Sequence, residues 1–173
     1  MAVMLLTGRG PDTHLPKPPV AAPAPDLYDS ETARTIPEGA AQALYANGWY
    51  KAPSSSVNGH DRTLWIDVTG SNAKADVLDV ERYDASPQQA GPWAAAAHRD
   101  HPGRPVIVYL SLANWTAARA SVARYHVSVK WWLADPTGVP HMVPGASATQ
   151  WYWGSTTTHA YDESETTPGF WQP

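Results

Sequence analysis

Residues 75–87 read ADVLDVERYDASP, in which apolar and acidic positions alternate before a proline-marked turn. The alternation predicts a strand over 75–81. Side chains alternate along a strand, so Asp79 and Glu81 share one face, roughly 6.5 Å apart along the backbone. A charged carboxylate in an apolar interior costs several kcal/mol unless it is paired or solvated. Two such acids on one face of a buried strand therefore require a structural partner or a chemical task.

Downstream of this strand the local signals are sharp. Ser86 is suited to cap a helix, Pro87 occupies its first position and Gln89 the third, as in a capping box. PVIVYLS (105–111) is continuously apolar, as a strand covered on both faces should be. NWTAARASVARY (114–125) predicts a helix, and strands are expected at VKWWLADP (129–136), SATQWYWG (147–154) and AYDES (160–164). Upstream, strands are expected at DLYDS (26–30), ALYANGWY (43–50) and TLWIDVTG (63–70), with a helical turn opening at TIPEGAAQ (35–42) and a loop at KAPSSSVNGHD (51–61).

Strands alternating with helices or compact connections imply a mainly parallel sheet, and eight of them suggest closure into a barrel. The connections after the second and third strands are too short for full helices. The expected fold is an α/β, irregular and shortened (β/α)8 TIM-like barrel over 26–173, with an open doubly wound sheet as the competing architecture. Residues 1–25 hold six prolines and no apolar periodicity. They are expected to form an extended, polyproline-like arm held by its own domain or by a larger assembly.

At 173 residues, with 43% hydrophobic positions, the chain can bury a large single core. A net charge of −4 gives no basic footprint, which argues against direct nucleic-acid binding. There is no cysteine, so no disulfide framework and no thiolate metal site. The opening MAVMLLTGRG is read as neither a signal peptide nor a membrane span. Nine Trp and eight Tyr against one Phe favour surfaces that meet sugars or proteins, although some must fill the core. His98 and His101 have no evident third ligand, and no metal or other cofactor is expected.

In a parallel α/β barrel, functional residues collect at the carboxyl ends of the strands. Asp29, Asp67, Asp79 and Asp135 fall at or near such ends, Glu81 just beyond one and Asp162 within the eighth strand. Clustered carboxylates suit glycoside hydrolysis, where one acid donates a proton to the leaving oxygen and another stays charged. Divalent-metal binding is the rival use, and turn formation is the bland explanation for Asp67 and Asp135.

VLDVE (77–81), PVIVYLS followed by ANW (105–115), WWLADP (131–136), TQWYW (149–153) and YDES (161–164) occur in the order of the lysozymes of glycoside hydrolase family 25. The chain resembles that family, and the related glycoside-hydrolase-like domains of actinobacteria and their phages, over about residues 26–165. The resemblance implies cleavage between N-acetylmuramic acid and N-acetylglucosamine in peptidoglycan. It implies Glu81 as general acid, Asp79 as stabiliser of the positively charged intermediate, and Asp29 and Asp162 completing the site. Tyr109, Trp151, Asp135 and Asp67 would serve substrate binding. The first strand reads LYDSE rather than Gly-Ile-Asp, and WIDVTG lacks the family's aromatic-His ending.

Two readings remain open at this level. One is a cell-wall glycosidase, the other a catalytically silent phage virion or decoration protein that docks through residues 1–25. Cell-wall glycan and phage structural proteins are the expected partners, and a virion, extracellular or host-cytoplasmic location follows from them. A lectin-like domain is a third possibility.

Overall fold

The computed structural model describes residues 27–155 and 160–173. The proline-rich arm of 1–25 and most of the STTTH loop lie outside the described residues. Eight strands form one closed barrel in chain order. They are β1 (Leu27–Asp29), β2 (Ala41–Tyr45), β3 (Arg62–Asp67), β4 (Val77–Val80), β5 (Ile107–Ser111), β6 (Lys130–Ala134), β7 (Ala148–Tyr152) and β8 (Asp162–Thr166). Strands β1 to β7 pair in parallel, while β8 runs antiparallel to both β7 and β1 and closes the cylinder. The expected barrel is thus closed, but it is mixed rather than regularly (β/α)8.

Two α-helices accompany the strands among the described residues: α1 (Ala90–Asp100) between β4 and β5, and α2 (Leu112–Ala123) between β5 and β6. The segment expected to turn helical at 35–42 instead has a short 3-10 turn at Ala33–Thr35 and then enters β2 at Ala41. The strand expected over 43–50 ends at Tyr45, because Gly48 adopts φ +78° and reverses the chain. A Cβ at Gly48 would lie 2.7 Å from Val68 Cγ2, so the turn tolerates no larger residue without displacing that side chain.

Barrel pleating sorts the apolar residues into two packed layers. Leu27, Ala43, Ile66, Val77, Ile107 and Trp132 point inward and fill the barrel. The alternate positions Leu78, Val80, Val108, Leu110 and Leu133 point outward beneath the helices. Helix α1 buries Ala90, Trp93, Ala94 and Ala97, the i, i+3, i+4, i+7 pattern of one helical face. A 3-10 turn at Pro87–Gln89 leads into it, opened by the expected capping box, in which Ser86 N donates to Gln89 Oε1 at 2.8 Å. Gln89 also reaches back to the Thr69 carbonyl at 3.0 Å, fixing the helix start against the end of β3.

Candidate active site

The inward parity that begins at Val77 carries Asp79 into the mouth of the barrel, where it is 3% exposed. Glu81 follows one residue beyond β4, half-buried and on the same face. The same rim receives Asp29 from the last residue of β1 and Tyr109 from β5. Because β8 runs in the opposite direction, its first residue reaches this rim, and Asp162 stands directly across from Asp29 in the ladder. All five line one open cavity of 490 Å³. Among the described residues no Lys, Arg or His lines it, and neither Asp79 nor Glu81 makes an ion pair.

Gln150, inward on β7, organises the acids. Its amide nitrogen donates to Asp29 Oδ2 at 2.9 Å and Oδ1 at 3.1 Å, and to Asp162 Oδ2 at 3.3 Å. That orientation leaves Oε1 as the acceptor, and it takes the Tyr109 hydroxyl and Trp153 Nε1, each at 2.7 Å. Asp162 Oδ1 accepts from the Gly154 backbone at 2.7 Å. Asp29 and Asp162 are close enough that the charge of Asp162 disfavours ionisation of Asp29.

Burial above all, and then the charge of Asp162, pushes Asp29 well above the usual carboxylate range. Burial also leads the large rise at Asp79, followed by the charges of Glu81, Asp84 and Asp29. Asp79 Oδ1 is buried with no hydrogen-bond partner. Glu81 is raised by burial, then by Asp84 and Asp162. Its hydrogen bond with Tyr109 acts the other way, toward the charged form, and is outweighed by burial and the neighbouring charges.

Three residues expected at the site stand elsewhere, and strand parity is the reason. Asp67 follows inward Ile66 and so points outward, where it accepts from Asn47 Nδ2 at 2.7 Å, Asn72 N at 2.7 Å and Trp93 Nε1 at 3.0 Å. Burial alone would raise Asp67, but these bonds outweigh it and hold the carboxyl below the usual range. It is a brace between β3 and α1. Asp135 follows inward Ala134 and pairs at the surface with His141 at 3.0 Å. Trp151 follows inward Gln150 and lines neither of the two cavities at this rim; Trp153 lines the first in its place.

Gln150, Trp153 and Tyr45 are the site residues that sequence reasoning missed. Gln150 was accessible by counting in twos from buried Ala148; Trp153 was not, because a register irregularity between Gln150 and Tyr152 resets the parity. Among the described residues there is no cluster of three side chains suited to hold a metal ion. No protein-family model, curated protein or solved structure matches this chain, so its functional reading rests on the geometry of this rim.

Proposed function

We propose that the protein is a glycan-directed glycosidase of the lysozyme-like type, its barrel a cut-back form of the (β/α)8 fold that the resemblance implies. The observation carrying this reading is the convergence of Asp29, Asp79, Glu81 and Asp162 on one open cavity with no cation among its described lining residues. Glu81 is the more exposed of the central pair and burial raises its pKa, which suits it as the general acid that protonates the leaving glycosidic oxygen. As the bond breaks, positive charge develops on the sugar. The Asp79 carboxylate, set in the same cavity, is placed to stabilise that charge. Gln150 fixes Tyr109 and the Asp29–Asp162 pair around them.

Peptidoglycan is the substrate proposed from the resemblance, with display on a phage particle or release outside the cell as the setting. Incubation with purified peptidoglycan should release reducing ends, and Glu81→Gln should lower the rate by about 10²–10⁴-fold. Absence of release by the unaltered protein would remove the enzymatic reading. The connections from β1 through β4 contain no α-helix, and this favours the second reading, a barrel that binds glycan without cleaving it or decorates a virion. Glycan binding that survives Glu81→Gln, with no release in either protein, would establish it.

A further inference from the structure

A second hollow of 540 Å³ opens beside the first and shares Glu31, Tyr45, Asp79 and Glu81 with it. Its far wall carries Trp49, Tyr50 and Tyr83. Trp49 is 100% exposed and Tyr83 88%, although both are large rings, and none of the described residues covers them. Tyr83 adopts φ +78°, a left-handed conformation that an aromatic residue rarely takes, and Trp49 follows the turn at Gly48. Strain of this kind concentrates at ligand sites. Tyr50 is placed by its ring contact with Tyr45, 6.0 Å between centres, and by a hydrogen bond to Glu31.

We propose that this hollow is a further sugar subsite, stacking an uncharged pyranose ring of the same glycan whose neighbouring unit occupies the first cavity. The inference rests on the glycan reading above. The apolar face of a sugar ring suits an exposed indole or phenol, and a polar rim of Glu31 and Asp84 offers acceptors to its hydroxyls. Among the described residues no Lys, Arg or His lines the hollow and four carboxyl groups do, so carboxylated, sulfated or phosphorylated units are disfavoured. Arg82, which does not line the hollow, stacks 4.7 Å from the Tyr83 ring centre and supports that ring. The buried, unpartnered Asp79 Oδ1 belongs to a residue at the junction of the two cavities, where the linkage between two sugar units would lie.

The test is calorimetric titration of the full chain carrying Glu81→Gln with a β-1,4-linked N-acetylglucosamine tetramer. Added Trp49→Ala and Tyr83→Gly should each weaken binding about tenfold, as should Trp153→Ala at the first cavity. Tyr83→Gly removes the ring while suiting the backbone, and thermal melting checks that each variant is folded. If Trp49→Ala and Tyr83→Gly bind as tightly as their parent while Trp153→Ala does not, the subsite is refuted and the glycan reading stands. If the parent binds no tetramer, both fall.

Discussion

A carboxyl group at Asp79 is an expensive choice for a strand interior. Its folded-state pKa is raised, chiefly by burial, so its contribution to stability is present below the ordinary carboxylate range and is lost as pH rises toward the folded value. At neutral pH the residue therefore weighs against folding. Asp79→Asn removes the latent charge without changing shape and should stabilise the protein at pH 7 by about 1–3 kcal/mol. At roughly 2–4 °C per kcal/mol the melting temperature should rise measurably, with the gain fading by about pH 4. A destabilised Asp79→Asn at pH 7 would mean that the native group is charged and solvated. Such tension between stability and residue choice is characteristic of sites kept for chemistry.

At the level of elements, the two helices matter because they brace the strand that carries the acids. Leu78 and Val80, the outward neighbours of Asp79, pack beneath α1 and α2. The helices approach each other closely at Gly91, whose amide donates to Ser121 Oγ at 3.1 Å. A Cβ there would lie 2.5 Å from the Ser121 backbone carbonyl oxygen and 2.7 Å from the Tyr125 ring, and the carbonyl cannot swing away as a side-chain tip could. Gly91→Ala should thus cost about 1–3 kcal/mol through overpacking. Chemical denaturation should show a lower midpoint with an unchanged slope. A neutral substitution would mean that α1 and α2 can slide apart freely.

For the whole barrel, the acids at the mouth set the pH profile of stability. Asp29, Asp79 and Glu81 are all raised, each chiefly by burial, so their combined contribution is lost as pH climbs above about 4. Asp67 is lowered by its hydrogen bonds, so its contribution is present above the ordinary range and lost as pH falls through its folded value. The two signs place the stability maximum on the mildly acidic side. The melting temperature should be higher at pH 5 than at pH 8 and should fall again below about pH 3. A steady rise from pH 5 to pH 8 would contradict the burial of the acidic rim.

Much of this architecture could be read directly along the chain. Alternation around Asp79 and Glu81, the Ser86–Gln89 cap and the apolar run at 105–111 are local patterns, and local patterns report strand, helix start and buried strand without help from distant residues. Counting in twos from Ile66, Ala134 and Ala148 would also have turned Asp67, Asp135 and Trp151 away from the barrel interior, since parity belongs to the strand itself. Tertiary contacts alone decided the rest. The reversed direction of β8 brings Asp162 opposite Asp29, and the irregularity after Gln150 lays Trp153 over the rim. Protonation at the site likewise depends on the assembled barrel, because desolvation and the grouping of four carboxyls exist only once distant strands have met.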